Sequence, residues 1–544
     1  MRKSKKVLAV LLAATMAVGA MAGCGSKKDE PTSNSSSAPT EANSTTTGET
    51  KGETTTTAAA AAGETTPDHD FVVAVSSDLK TLDPHATNDS ASSLIYLHLY
   101  NTMTKLDQEG KIAPDLAESW EKVSDTEYKF KLRQGVKFHN GEELKGSDIK
   151  FSIEREKEGA RTAYLMEKVQ EVRVDSDYEV TFLLSEPDGS LLYNLSQGGS
   201  SILNEKAVTE AGENYAQNPV GTGPLKYKEW VPNDHITLVR NEEYFDTEKP
   251  VSQSVTFRVI PEATSRTIAL ENGEVDAVGG IAPVDITRVE ENENLEHVFV
   301  TNTGVEYVGF NFEKKPFDDI RVRQAICHAI NKEQVIQVAL EGRGEVSNTV
   351  VGLPIPGCDS TVEGYDYNPE KAKELLKEAG FENGFDTTLK TSGDVRSLEA
   401  QVVQANLQEI GINVEIELLD WGAYLEAING GNMEMYIISW GNPTMDPAES
   451  LNPLFNTKNW GPTGNRMHYS NPDVDKLLDE MMRESDDAKR LELSSQIQHL
   501  VVADAPWATM FCKQTCLAYQ KGIKGLMVMP NDVHNYAYMQ YPVK

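Results

Sequence analysis

Apolar and polar residues alternate along several short stretches of this chain. "YKFKLRQGVKF" (128–138), "YEVTFLL" (178–184), "SVTFRVI" (254–260) and "VEYVGFNF" (305–312) put every second side chain on an apolar face, the pattern of half-buried strands. Elsewhere the period lengthens. "NPEKAKELLKEAG" predicts a helix that Asn368 caps, Pro369 opens and Gly380 ends. A second Asn-Pro start stands at Asn471 in "NPDVDKLLDEMM". "TTLKTS", "SLEAQVVQANLQEIG" and "INVEIELL" read in succession as strand, helix, strand, which favours a parallel sheet within residues 310–515. Strands are denser in the first part of the body. The class these patterns predict is α/β with an additional mixed β region and no internal repeat.

The first residues follow a different pattern. Arg2, Lys3, Lys5 and Lys6 precede the apolar stretch Val7 to Val18, which is 12 residues long. A membrane-spanning helix needs about 20. A charged start, a short apolar run and small residues at its end make a secretory signal, expected over residues 1–23. "MAGCGS" follows, and Ala22-Gly23 before Cys24 resembles the lipobox of bacterial lipoproteins, with Met21 where leucine is usual. That resemblance implies a diacylglycerol on Cys24, two acyl tails that suffice for stable anchoring. Residues 25–67 contain no Leu, Ile, Val, Met, Phe, Tyr or Trp. With nothing to bury they cannot offset the entropy of ordering, so residues 24–67 are expected to form a disordered tether with an r.m.s. span of roughly 35–40 Å.

Charge narrows the partners. The chain of 544 residues carries −33, with 51 Lys+Arg and 84 Asp+Glu. Residues 1–67 hold 7 basic and 6 acidic residues, so residues 68–544 carry 44 against 78. A body this acidic excludes nucleic acid and anionic lipid as binding partners. Its length favours two or three domains. Four cysteines remain in it, Cys327, Cys358, Cys512 and Cys516, and three pairings are open. Cys512 and Cys516 lack the spacing of a redox or zinc motif, and Cys327 in "RQAICHAI" reads as a core thiol.

No catalytic motif survives inspection. "GEELKGS" (141–147) has P-loop glycine spacing without the lysine that reaches the phosphates, and "GTGPL" from Gly221 lacks the third glycine of a dinucleotide loop. "SDLK" (77–80) matches S-x-x-K, but Pro84 follows too soon for the helical turn that would stack Ser77 on Lys80. The ten histidines show no pair at ligand spacing. The expectation is a protein without metal, cofactor or chemistry of its own.

Six stretches together carry a resemblance. They are "LDPHATNDSASSLIYLHLYNTM" (82–103), "KIAPDLAESW" (111–120), "FKLRQGVKFHNGEELKGSDIKFSIER" (130–155), "NPVGTGPLKYKEW" (218–230), "VGFNFEKKPFDDIRVRQAICHAINKE" (308–333) and "HYSNPDVDKLLDEM" (468–481). In order and spacing they resemble the family 5 solute-binding proteins of ABC importers, the oligopeptide- and dipeptide-binding class. The resemblance implies a type II periplasmic-binding-protein fold: two lobes closing on a cleft plus an inserted mixed α/β domain. Lobe I would comprise residues 68–107, 201–306 and 517–544, domain II residues 108–200 and lobe III residues 307–516. The chain would cross between lobes near Tyr307–Phe312 and Cys516–Lys524.

The same resemblance implies a site. In the family an apolar strand ends in a tryptophan at the cleft, and an acid three positions later grips the α-amine of a peptide. Here "SWGNPTMDP" supplies Trp440, then Asn442, then Pro443 where the acid is usual, and the later Asp-Pro as Asp446 and Pro447. Trp421 in "LDWGAY" matches a second aromatic wall, and Asn88, Asp89 and Ser90 match the segment that pairs with an extended ligand backbone. Pro443 has neither charge nor N–H, which leaves two outcomes: Asp446 or Asp89 takes over the amine from another direction, or, the favoured one, the ligand has no free amine at this point. The function implied is a lipid-anchored, monomeric receptor at the outer face of the bacterial cytoplasmic membrane. It would capture di- or oligopeptides and deliver them to ABC permease and ATPase subunits. The alternatives are the same class binding a nickel-metallophore, glutathione or an oligosaccharide, or a surface hydrolase.

Overall fold

The computed structural model describes residues 65–66, 69–246 and 250–542. Cys24, the leader and nearly all of the polar tether lie outside these residues. The stretch expected to be unstructured ends in a two-residue strand, Thr65–Thr66, antiparallel to Tyr541–Pro542. Backbone groups pair whatever the side chains, so composition alone does not register such a contact.

A mixed sheet of eleven strands organises the molecule. Ten run in the order Ile412–Leu418, Phe385–Thr391, Met435–Trp440, Leu295–Phe310, Trp507–Gln520, Ala277–Val278, Asp70–Val75, Ser254–Val259, His235–Arg240 and Leu225–Val231. Gly344–Val346 pairs with Trp507–Gln520 off this path. The two longest strands, of 16 and 14 residues, are antiparallel partners and hold the sheet together. Toward Leu295 and Gln520 their neighbours are Ala277–Val278 and Asp70–Val75. Toward Phe310 and Trp507 the neighbour is Met435–Trp440. The register between the two long strands slips between Thr301 and Val305 and again between Glu306 and Tyr307.

Separate cores lie on either side of that slip. Phe71, Leu99, Leu238 and Phe257 anchor one around the Leu295 half, with a smaller cluster of Ala74, Leu270 and Val278 beside it. In the Phe310 half the period-2 alternation of the strands feeds two faces. Val308, Phe310 and Ile437 join Val322, Ile326 and Val403, while Tyr307, Tyr436 and Ile438 join Leu451, Leu454 and Trp507. A four-stranded antiparallel sheet stands apart, in the order Ala117–Ser124, Glu127–Leu132, Glu179–Leu184, Val169–Ser176. Its buried core, closed by the helix Gly146–Glu156, draws only on residues between Met103 and Ile202.

The periodicity located most elements well. Asn368 caps Pro369–Glu378 by accepting from the Lys371 amide at 3.0 Å, and Gly380 follows at φ 85°. Asn471 caps Pro472–Met481. Phe385–Thr391 and Ile412–Leu418 are parallel and flank the helix Asp394–Glu409. The alternation of 128–138 is cut short at Leu132, because Gly135 turns the chain at φ 75° and a Phe138–Gly141 turn follows. Ser77–Lys80 is not helical. Cys327, Cys358, Cys512 and Cys516 are all free thiols. Burial pushes the Cys327 thiol up to about 12 and the Cys358 thiol up to about 11.

Candidate functional site

Trp440 ends the strand Met435–Trp440, just beyond the buried Ile437 and Ile438. Its indole N–H donates to the Glu449 carbonyl at 3.1 Å, and the Arg466 guanidinium lies 5.8 Å from its ring centroid. The loop that follows is held from inside by Asn442, which is 1% exposed. The Asn442 amide donates to Thr303 Oγ1 at 3.0 Å, and its Nδ2 donates to the Asp446 carbonyl at 2.7 Å and to Ser450 Oγ at 2.9 Å. Thr303 sits where the two long strands lose register, so this loop is fastened to that joint. A side chain at Gly352 would put Cβ 2.0 Å from the Thr303 carbonyl oxygen, so that neighbour must stay glycine. Pro443 is exposed, and its carbonyl accepts from Asn531 Nδ2 at 3.0 Å.

Asp446 caps the helix Pro447–Phe455 by accepting from the Ala448 amide at 3.0 Å. It is 2% exposed and forms an ion pair with the equally buried Arg490, while Ser190 Oγ donates to its other oxygen at 2.7 Å. The carboxylate thus binds the loop to the helix Asp487–Asp504 and to the 188–190 turn. Glu449, three residues on, has a different position. It is half-buried, and its carboxylate makes neither a hydrogen bond nor an ion pair among the described residues. Burial, with the Asp446 charge second, pushes its carboxyl up to about 7.

Asn88, Asp89 and Ser90 open the helix Ser90–Leu99. Asp89 is its cap, accepting from the Ser92 amide at 3.1 Å and from the hydroxyls of Thr87 at 2.8 Å and Ser92 at 2.9 Å. Burial works against its charge, but these three donors and Lys80 hold its carboxyl below the usual range. Asn88 and Ser90 are exposed. Asn88 meets the phenol of Tyr164, a residue of the short turn Ala163–Met166 in the separately cored region. The Tyr164 phenol also feels the Glu449 carboxylate. One surface is therefore shared by Asn88, by Tyr164, and by the Trp440 loop with Glu449.

Trp421 begins the helix Trp421–Asn429 and is 50% exposed. The Arg396 guanidinium lies 5.9 Å from its ring, and Arg396 Nη2 donates to Ser439 Oγ at 3.0 Å, next to Trp440. Arg396 Nε lies 2.5 Å from Glu306 Oε1, and Lys513 Nζ lies 3.1 Å from Glu306 Oε2 and 3.6 Å from Glu399 Oε1. Although burial opposes its charge, Lys513 and Arg396 hold the Glu306 carboxyl below its ordinary range. Burial, with Glu306 second, pushes Glu399 up to about 8. This quartet spans both long strands and the start of the helix Asp394–Glu409.

Sequence reasoning placed Trp440, Asn442, Pro443 and Asp446 in one loop and missed Tyr164, Arg396 and Glu449. Tyr164 and Arg396 carry no local signal, since their neighbours come from distant parts of the chain. Glu449 is masked by its context: Asp446-x-x-Glu449 spells a capping box, in which the glutamate bonds back to the cap amide. Here the Asp446 amide donates to Thr444 Oγ1 at 3.1 Å instead, which leaves the glutamate side chain free.

The sequence pattern described as bacterial extracellular solute-binding proteins, family 5 Middle, matches residues 111–462, and the chain belongs to this family. The glutathione-binding protein GsiB of Escherichia coli K12 is 30% identical over 475 residues, which cover 85% of this chain and 92% of that one. The ABC transporter-associated periplasmic binding protein DppA from Helicobacter pylori, in complex with the peptide STSA, is similar with a TM-score of 0.72 at 28% identity, covering 88% of this chain and 98% of that one. The oligopeptide-binding protein AppA from Bacillus subtilis, in complex with a nonapeptide, gives 0.70 at 27% identity, covering 88% and 100%. The fold is that of the periplasmic binding proteins, as the resemblance implied. The chain is a solute-binding protein of the ABC-transporter class and not an enzyme.

Proposed function

We propose that this protein captures peptides outside the cell and hands them to an ABC permease whose ATPase is on other chains. The observation that carries this reading is the shared surface on which Asn88, Tyr164 and the Trp440 loop meet, each from a separately cored part of the chain. An exposed amide, two aromatic rings and a carboxylate suit an extended polyamide, which needs hydrogen bonds for its backbone and apolar cover for its side chains. Lobe I (residues 68–107, 201–306 and 517–544) and lobe III (residues 307–516) close on the ligand, with domain II (residues 108–200) beside them. The register slip of the two long strands at Thr301–Val305 is the hinge. Cys24 carries the lipid that holds a monomer at the outer face of the cytoplasmic membrane. Support for a peptide ligand comes from DppA and AppA, and GsiB brings glutathione, itself a tripeptide, into the same class.

Titration calorimetry on the full-length protein in detergent, with di- to nonapeptides and glutathione, tests the reading. At least one of them is expected to bind with ~8 kcal/mol or more, a micromolar affinity. Failure of the whole panel to bind, or release of cleaved peptide, overturns it.

A further inference from the structure

The turn 188–190 brings together two parts of the chain that have separate cores. Asp188 Oδ1 accepts from the Ser190 amide at 3.1 Å and sets the turn. Its outer side meets the link between the helices Pro472–Met481 and Asp487–Asp504. The Gly189 amide donates to the Met482 carbonyl at 3.0 Å, and Ser190 Oγ donates to Asp446 Oδ2 at 2.7 Å. Along the same seam, Lys122 Nζ donates to Ser485 Oγ at 2.6 Å. A Cβ at Gly189 would stand 1.9 Å from the Glu484 carbonyl oxygen and 2.1 Å from Arg490 Nη1, so only glycine fits. The turn thus lies directly on Arg490, whose Nη1 donates to the carbonyls of Met481 at 2.8 Å and Glu484 at 3.0 Å and whose Nη2 pairs with Asp446.

A contact of this kind is either a permanent weld or a contact that opens. Two observations favour opening. First, residues 108–200 are fixed to the part of the chain that holds Asp83 and Gly223. Arg155 Nη1 donates to Asp83 Oδ1 at 2.9 Å, the His139 ring meets the Gly223 carbonyl at 3.1 Å, and the Leu203 amide donates to the buried Ser152 Oγ at 2.9 Å. Second, the seam toward Arg490 joins bodies whose cores do not mix, one drawn from Met103 to Ile202 and the other from Tyr307 to Trp507. A polar seam between separately cored bodies parts without unfolding either. Shutting it takes Asp446 and Arg490 out of water, which is costly, and returns hydrogen bonds from Ser190, Gly189 and Lys122. The two terms oppose each other, so a bound solute can tip the balance. The seam also reaches the Trp440 loop. The Asp446 carbonyl accepts from Asn442 Nδ2 at 2.7 Å, and the Asn442 amide is bonded to Thr303 at the register slip.

We propose that the 188–190 turn and the Asp446–Arg490 pair are a closure latch. Domain II moves with lobe I, engages lobe III through Gly189 and Ser190 only when the lobes are shut, and so sets the affinity for every solute captured. The inference rests on the capture reading above and names residues that position the lobes without touching the solute. Apparent affinity scales with the fraction of protein in the competent state, so weakening the latch should weaken all ligands by one common factor.

Hydrogen exchange and calorimetry on the full-length protein in detergent test this, with the peptide panel above. In the wild type the Gly189 amide should exchange faster than the amides of the strand Glu179–Leu184, and a bound peptide should slow it. Gly189→Ala should speed exchange across residues 481–490 while leaving Glu179–Leu184 protected, which shows that domain II stays folded. It should also weaken every peptide that the wild type binds, by a shared factor of about ten or more. Ser485→Asp sets a carboxylate against Lys122 and should strengthen them all by up to about fivefold, a gain that misfolding does not produce. Gly189 exchange as slow as that of Glu179–Leu184 in the wild type would make the seam a permanent weld and overturn the latch. So would peptide affinities that change by different factors, since the turn would then touch the solute. If no peptide binds the wild type, the capture reading falls, and exchange in the unliganded proteins still decides the latch.

Discussion

Two places in this molecule leave over one carboxylate that accepts no hydrogen bond among the described residues, and they differ in what stands beside it. At the joint of the long strands, Glu306 takes both Arg396 and Lys513, and Glu399 lies behind it, 3.6 Å from Lys513 Nζ and with no hydrogen-bond partner for either oxygen. At the Trp440 loop, Asp446 takes Arg490 and Glu449 is the carboxylate left over. Burial raises both surplus groups, Glu399 to about 8 and Glu449 to about 7. Glu399 is 0% exposed, so only a proton can reach it. Glu449 is half-buried, and no cation pairs with it among the described residues. A surplus carboxylate thus tunes stability at both places, sealed from solvent at the first and partly open to it at the second.

The comparison breaks most decisively at the pairs themselves. Arg490→Ala strips Asp446 of its cation while leaving it buried, and breaking such a pair costs about 3–5 kcal/mol. Glu449→Gln removes a charge that burial disfavours and that no partner offsets, so chemical denaturation at pH 7 should find it at least as stable as the wild type. Equal losses in the two variants would mean that Glu449 has a structural partner after all.

A smaller effect separates the sealed surplus from the open one. The Glu399 carboxyl is held protonated in the folded protein up to about 8, against an ordinary 4.5. The folded state therefore binds more protons than the unfolded state between those values, and the stability due to Glu399 is complete below 4.5 and is lost as pH rises to about 8. The slope is at most about 1.4 kcal/mol per pH unit. Glu306, held low by Lys513 and Arg396, contributes with the opposite sign, losing stability on acidification below its ordinary range. Glu399→Gln stays neutral throughout, so its stability relative to the wild type should climb between pH 5 and 8. Parallel stability curves for the two proteins over that window would show that Glu399 does not titrate there.

These assignments separate what the sequence discloses from what it conceals. Caps at Asn368 and Asn471 and the parallel pair around Asp394–Glu409 were legible because each rests on neighbours within a few residues. The Trp440 loop was legible through family resemblance. Which of its acids is free was not, because Asp446 is satisfied by Arg490 and Ser190, 44 and 256 residues away. The quartet was invisible for the same reason: Glu306, Arg396 and Lys513 meet only once the two long strands pair. Asn88 and Asp89 looked alike in sequence, yet Asp89 is bound up in capping Ser90–Leu99 while Asn88 faces the Tyr164 phenol.

The smallest effect expected is at Pro443 itself. Pro443 is exposed and makes one side-chain-independent contact, its carbonyl accepting from Asn531. Replacing it with aspartate should therefore change stability by no more than about 0.5 kcal/mol. The new acid would stand in the loop that joins Trp440 to Asp446, three residues after the tryptophan, where the resemblance puts the acid that grips an α-amine. If the bound peptide presents its amine to this loop, Pro443→Asp should favour the free peptide over its N-acetylated form, by under tenfold, about 1.4 kcal/mol. Calorimetry with the two peptides on wild type and variant measures the difference. Equal affinities for the two peptides in Pro443→Asp would mean that the amine does not reach this loop.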